Sequence, residues 1–152
     1  MTDPLLISCP HCLTTNRIRS AHLGSKPTCG QCKRALFTGE PVSIATVAAF
    51  DKIITRTQIP VLVDFWASWC GPCRMMAPSY QQAAAGLEPQ VRVCKVDTEA
   101  LPPLAQRFQI RSIPTLALFL DGQLVARHSG AFTSAPQIER WARSHAVQPA
   151  HH

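Results

Sequence analysis

Six of the seven cysteines in this 152-residue chain fall into three Cys-x-x-Cys pairs, at 9/12, 29/32 and 70/73, and Cys94 is left over. Such a pair can chelate a metal, cycle between dithiol and disulfide, or staple a loop. Cys9-Pro-His-Cys12 and Cys29-Gly-Gln-Cys32 are separated by 16 residues, the spacing of a tetrathiolate zinc site. Each pair bends into a knuckle that sets two sulfurs on one side of a metal. Two knuckles complete a tetrahedron with Zn–S near 2.3 Å. One Zn²⁺ per chain is the expectation, with Cys9, Cys12, Cys29 and Cys32 as ligands. Iron suits the same four ligands, and two disulfides or idle thiols are the bland alternatives. His11 and His22 read as exposed loop residues, since four cysteines fill the shell. Lys26, Lys33 and Arg34 flank the second knuckle and can offset its charge.

Cys70-Gly71-Pro72-Cys73 has a different setting. The run VLVDFWA before it reads as a buried parallel strand, and the sequence after it is helical in character from Cys73 to Gly86, with a kink expected at Pro78. A pair at a strand-to-helix junction puts its first cysteine at a helix N-terminus. There backbone N–H groups and the macrodipole favour the thiolate, the only form that attacks a disulfide. Cys70 is therefore read as an outward-facing nucleophile and Cys73, in the first turn, as the resolving thiol. Asp64 lies in the middle of the apolar strand. Desolvation should raise its pKa and suit it to accept and return a proton; a satisfied structural carboxylate is the alternative, a costly one in the middle of an apolar strand. Trp66, Met75 and Met76 read as packing, Cys94 as a buried inert thiol, and Trp69 as an exposed platform beside the nucleophile. Arg74 can hold the thiolate or steer acidic partners.

These residues need a scaffold, and the chain divides accordingly. Residues 1–40 are polar, rich in cysteine, glycine and basic groups, with no helical or alternating run long enough to make a core. The metal would therefore supply the folding free energy of this head. From 41 to 147 the order is β-α-β-α-β-α-β-β-α. The strands fall near 42–45, 61–67, 91–96, 113–120 and 123–128. The helices fall near 46–57, 73–86, 101–108 and 134–145, and Asp121-Gly122 makes the hairpin turn. A βαβ unit joined to an antiparallel hairpin gives a mixed central sheet with helices on both faces. Residues 148–152 are expected to be a disordered tail.

Net charge is +6, falling to +4 if four thiolates hold one dication. Charge that small does not demand nucleic acid. The head also lacks the interleaved aromatics of a single-strand binder, so none is expected. The first ten residues have no basic segment or apolar run of signal-peptide length, and no stretch is apolar enough to span a bilayer. A monomer with no membrane association is the expectation. The cytoplasm is the expected compartment, where paired cysteines are more often ligands or catalysts than structural staples.

Trp69-Cys70-Gly71-Pro72-Cys73 resembles the active-site signature of the thioredoxin family, and the likeness extends over residues 42–146. The resemblance implies a thioredoxin fold with a small N-terminal zinc-ribbon-like domain. With the tetracysteine head included, the chain is similar to the zinc-containing bacterial branch of the family. Asp64 stands where the family has a buried aspartate assisting proton transfer at the resolving cysteine. Ile113-Pro114-Thr115 looks like the family's cis-proline loop, which packs against the disulfide and pairs with substrate backbone. Lys95 resembles the lysine that can neighbour the aspartate, although a solvated strand residue is an equal reading, and Gly130 lies where the family offers a small residue beside the site. The implied activity is reduction of protein disulfides docked on Trp69, Gly71, Pro72, Ile113, Pro114 and Gly130. The Gly-Pro dipeptide is the one found in reducing members. No organic cofactor would be bound, because NADPH would act through thioredoxin reductase. The rival reading is a zinc-dependent interaction module on the same scaffold. Oxidation can eject a thiolate-bound metal, so the zinc site is either structural or a redox-sensitive regulator.

Overall fold

The computed structural model describes residues 3–146, and the expected tail at 148–152 lies outside them. The head contains a two-stranded antiparallel ribbon, β1 (Leu5–Ser8) and β2 (Thr15–Ile18), followed by a short 3-10 helix over Ser20–Ser25. The body then runs β3 (Val42–Ser43), α1 (Val47–Thr55), β4 (Val61–Trp66), α2 (Gly71–Leu87), β5 (Arg92–Asp97), α3 (Pro102–Arg107), β6 (Thr115–Leu120), β7 (Gln123–Ser129) and α4 (Ala135–Ala146). This is the element order expected from the sequence. The five-stranded sheet is ordered β3-β5-β4-β6-β7. β3, β5 and β4 run parallel, and β6 and β7 are antiparallel additions with a register shift at Leu118/Phe119.

β4 is the central strand, which is why its sequence is nearly all apolar. Alternate side chains serve opposite cores. Val61, Val63 and Phe65 pack with Phe50, Ile53 and Ile54 of α1 and Leu104 of α3, while Leu62 packs with Met76, Tyr80 and Leu87 of α2 and Ile138 of α4. Asp64 shares the α2-facing side of the strand with Leu62. Local signals set the helix ends. The Thr46 hydroxyl accepts the Ala49 N–H at 3.0 Å and caps α1. α2 starts at Gly71, two residues before the expected boundary. Gly71 and Pro72 occupy its first positions, where a missing proline N–H costs nothing. The helix continues through Pro78 to Leu87.

The head has more of a core than its sequence suggested. Leu5, Ile7 and Leu36 pack with Cys9, Cys29 and Ile59, the last contributed by the loop leading into β4. Neither ribbon strand exceeds four residues, so the pattern is too short to read as a core from the sequence. The head docks by backbone pairing as well. The Gln58 N–H donates to the Leu6 carbonyl at 2.7 Å, and the Leu6 N–H donates to the Gln58 side chain at 2.8 Å.

A buried ion pair completes the joint. Arg92, at the start of β5, donates to Glu88 at 2.9 Å and to the Leu36 carbonyl at 2.6 Å, and its guanidinium lies 4.5 Å from the Phe37 ring centroid. Glu88 in turn accepts the N–H groups of Val93 and Gly39, both at 3.2 Å. Burial raises the Glu88 pKa and the arginine opposes that shift. Arg92→Met removes one partner of a buried pair and should cost about 3–5 kcal/mol in urea unfolding. The double variant with Glu88→Leu should recover much of that loss, because no buried charge is then left unpaired. All these contacts fall at the N-terminal ends of β4 and β5. The head thus sits at the pole of the sheet opposite the one to which β4 delivers Cys70.

Candidate functional site

β4 ends at Trp66, and the turn that follows delivers Cys70 as the N-cap of α2. Cys70 and Cys73 are joined as a disulfide. The Cys73 N–H points at the Cys70 sulfur at 3.2 Å, and the Ile113 carbonyl oxygen lies 3.7 Å from that sulfur. A thiolate released at Cys70 would therefore meet a backbone donor and the positive end of a 17-residue helix. The outward placement expected for Cys70 is not what the closed ring shows. The residue is only 3 % exposed, because the ring is tucked beside the Ile113–Pro114 segment, and the neighbouring Trp69 is 66 % exposed.

Asp64 is 2 % exposed, and its Oδ1 has no hydrogen-bond partner. Burial pushes its pKa up to about 7, and the Lys95 charge opposes that rise. Lys95 is the register partner of Asp64 across the parallel ladder, half-buried, with its ammonium 4.3 Å from the centroid of Trp66. That ring is itself half-buried. Cys94 points to the opposite core, where burial pushes its thiol up to about 12 and keeps it inert.

The Ile113–Pro114 peptide is cis, Pro114 is buried and Ile113 is half-buried. The Pro114 carbonyl accepts the Gly130 N–H at 2.9 Å. Gly130 has φ +109, which strains any other residue, although no atom lies within 4 Å of where its Cβ would stand. Pro72 is exposed and Gly71 partly so. Trp69 and Ile113 form one side of an open groove of about 330 Å³ whose other side includes Thr98, Glu99 and Pro102. The structure therefore gathers Cys70, Cys73, Trp69, Gly71, Pro72, Ile113 and Pro114 at one pole, with Gly130 bonded to the proline and Asp64 beneath α2.

Two residues stand apart from the sequence reading. Met75, expected to pack, is 81 % exposed, whereas Met76 is buried. One step along a helix turns a side chain by about 100°, which carries Met75 out of the apolar stripe that holds Met76, Tyr80 and Ala83. Tyr80 went unremarked in the sequence. It is fully buried beneath the sheet, and its hydroxyl donates to the Cys94 carbonyl at 2.6 Å and lies 3.4 Å from the Leu62 carbonyl, bridging β5 and β4. Its spacing from Met76, Ala83 and Leu87 marks it as inward-facing. Nothing in the sequence marks the carbonyl that it reaches.

At the other pole the four head cysteines converge, with all sulfurs within 4.8 Å of one another. Cys9 and Cys32 sulfurs are 3.7 Å apart and Cys12 and Cys29 sulfurs 3.6 Å apart. A tetrahedron with Zn–S of about 2.3 Å has edges of about 3.8 Å, so the four thiols fit the ion. None of them is in a disulfide. The two knuckles share one backbone pattern. The Leu13 N–H donates to the Cys9 carbonyl and the Lys33 N–H to the Cys29 carbonyl, each from a residue at positive φ. The N–H groups of His11 and Gln31 point at the sulfurs of Cys9 and Cys29, at 3.3 and 3.4 Å. Such donors favour thiolates. His11 and His22 are both exposed.

A closed cysteine ring capping a helix, a cis-proline beside it and a buried carboxyl behind it define a thiol–disulfide exchange protein. Comparison with known proteins agrees. The family model described as Thioredoxin matches residues 41–144, and the one described as Thioredoxin 2, N-terminal, a zinc ribbon, matches residues 8–34. Thioredoxin C-3 of Corynebacterium nephridii is 42% identical over 137 residues, covering 90% of this chain and 92% of that protein. Thioredoxin 1 of Synechococcus elongatus is 51% identical over 86 residues, 57% of this chain and 80% of its own length. Among solved structures, a mutant thioredoxin from Halobacterium salinarum superposes with a TM-score of 0.65 at 28% identity, covering 75% of this chain and 97% of that one. The chain belongs to the thioredoxin family. It is a thiol–disulfide oxidoreductase that reduces disulfides in other proteins, and it carries a zinc-ribbon tetracysteine cluster. Among the described residues no helix is long and apolar enough to cross a membrane.

Proposed function

We propose that Cys70 is the attacking thiol, Cys73 the resolving thiol and Asp64 the base that takes the Cys73 proton in the second step. The Cys70 thiolate attacks one sulfur of a substrate disulfide, and the other sulfur leaves as a thiolate. A mixed disulfide now joins Cys70 to the substrate. Cys73 gives its proton to the Asp64 carboxylate and attacks the Cys70 sulfur, so the ring closes and the second substrate sulfur departs as a thiolate. The two electrons lost by Cys70 and Cys73 reside in the two substrate thiols. The observation that carries this assignment is the asymmetry of the pair. Cys70 caps the helix and receives the Cys73 N–H, whereas Cys73 is inside the first turn, on the core side of α2 with Met76 and Tyr80. A base with pKa about 7 is matched to proton transfer near neutral pH. Trp69, Gly71, Pro72, Ile113, Pro114 and Gly130 form the docking surface, and NADPH-fed thioredoxin reductase in the cytoplasm returns the ring to the dithiol.

Cys73→Ser should leave Cys70 able to attack but unable to be released. Incubated with a disulfide-bonded protein such as insulin, this variant should accumulate a mixed disulfide visible on a non-reducing gel, and Cys70→Ser should not. Equal trapping by both variants would remove the assignment of roles.

Cys9, Cys12, Cys29 and Cys32 would hold one Zn²⁺. When bound, the ion supplies a cross-link and charge neutralisation rather than redox chemistry. The position of the head, at the pole away from Cys70, favours a structural over a regulatory role.

A further inference from the structure

The outer face of α2 is unusual for a surface helix. Arg74 is the only charged residue in its 17. Gly71, Met75, Pro78, Gln82 and Ala85 follow one another at steps of four, three, four and three, so they form one line along the helix. Four of the five are exposed or half-exposed along that line, and Gly71 is half-buried at its start. The line is about 21 Å long at about 1.5 Å per residue. Its near end is the first helical residue after Cys70. Its far end opens into a groove of about 600 Å³ between Pro78, Gln81, Gln82 and Ala85 on one wall and Gly39 and Glu40 on the other. Those last two belong to the linker that follows the zinc head. Gly39, at φ +76, brings the linker so close that a Cβ there would stand 3.6 Å from the Ala85 Cα. The Glu88 carboxylate fixes it by accepting its N–H.

We infer that this line and groove form a second docking surface, one that holds an extended, uncharged segment of the protein whose disulfide is being reduced. The inference rests on the reductase reading. A protein disulfide that reaches Cys70 must cover Gly71 and Pro72, so the line continues a surface already under the substrate. An exposed, nearly uncharged face of this length is characteristic of an interaction surface. The charges beside it are Arg74 near one end and Glu40 at the other, so along most of its length a charged side chain would be desolvated without a partner. The amides of Gln81 and Gln82 provide both donors and acceptors for a passing main chain. About six extended residues at about 3.3 Å each span the line.

The test compares three synthetic disulfide-linked peptides with the same residues around the disulfide. One has no tails, one carries eight-residue uncharged tails at both ends, and one carries tails with lysine and aspartate at alternate positions. For the native chain the uncharged tails should lower KM about fivefold relative to the tailless peptide, and the charged tails should not. Gln82→Arg and, separately, Ala85→Arg should abolish the gain while leaving turnover of the tailless peptide unchanged, which also shows that the variants fold. No gain from the uncharged tails, or a gain that survives both variants, overturns the inference. So does a dimer mass in light scattering that reverts to monomer in Ala85→Arg, since the face would then bind a second copy. Failure of the native chain to reduce even the tailless peptide would instead count against the reductase reading itself.

Discussion

Asp64→Asn is expected to stabilise the protein at pH 8 and to slow it as a reductase. The buried carboxyl has its pKa raised from 3.8 to about 7. Below pH 3.8 folded and unfolded chains both carry this proton, so the residue exerts no pH-dependent penalty. Between pH 3.8 and 7 the folded state retains a proton that the unfolded state has released, and stability falls as pH rises. Above pH 7 the full penalty is present, on the order of 4 kcal/mol for a shift of this size. Asparagine keeps the shape and cannot ionise. After the cost of burying an amide, a net gain of about 1–3 kcal/mol at pH 8 is expected. In urea unfolding, the native chain should lose stability between pH 4 and 7, and the variant should lose markedly less over that range. Reduction of a protein disulfide at pH 7 should fall about 100-fold, the low end of what a positioned base contributes. A native chain whose stability is level from pH 4 to 8 would show that Asp64 is not strained by burial.

Removing the proposed zinc ion is expected to have the second large effect. Two of the six core residues of the head, Cys9 and Cys29, are themselves proposed ligands, and only Leu5, Ile7, Leu36 and Ile59 remain without them. So small a core does not hold a fold alone, and tetrathiolate zinc contributes about 10–16 kcal/mol to such modules. Chelation should therefore abolish amide-exchange protection over residues 5–36. The body keeps both of its own cores, so protection over β4 and β5 should persist. Its urea midpoint should drop, because Arg92 loses the Leu36 carbonyl and Ile59 loses its cover. Reduction of a small aromatic disulfide should change less than about twofold, because the length of β4, about 17 Å at about 3.3 Å per residue, separates the two poles. Loss of activity with the body still folded would instead make the zinc site a regulator of the redox pair.

Most of the redox pole could be read from the chain itself. A buried strand, a CGPC turn and a helix leave little freedom in where Cys70 and Cys73 lie, and an aspartate in an apolar strand must be perturbed. The knuckles were legible for the same reason, since four cysteines at that spacing have few other uses. What the sequence hid depends on contacts between distant segments. Arg92 sits in an alternating strand and looks like a solvated residue. It is buried only because the head covers it, and a charge pattern along one strand does not announce a lid from 56 residues away. The head's core is drawn from runs of four residues or fewer plus a borrowed isoleucine. Met75 and Met76 are indistinguishable by type, and only helix phase separates them. The onset of α2 at Gly71 rather than Cys73 reflects a proline, which a periodicity of apolar residues does not register.

The two margins of the sheet differ in a way that bears on handling rather than catalysis. β3 offers only two residues to a neighbour, but β7 offers seven with every second side chain exposed. A rim of that length is a template on which a partly unfolded copy can add a strand. The register shift at Leu118/Phe119 twists it, and Arg127, tied by its guanidinium to the carbonyls of Phe108 and Gln109, places a fixed positive charge along it. Colloidal behaviour at high concentration therefore depends on one irregularity and one arginine that take no part in thiol exchange or metal binding.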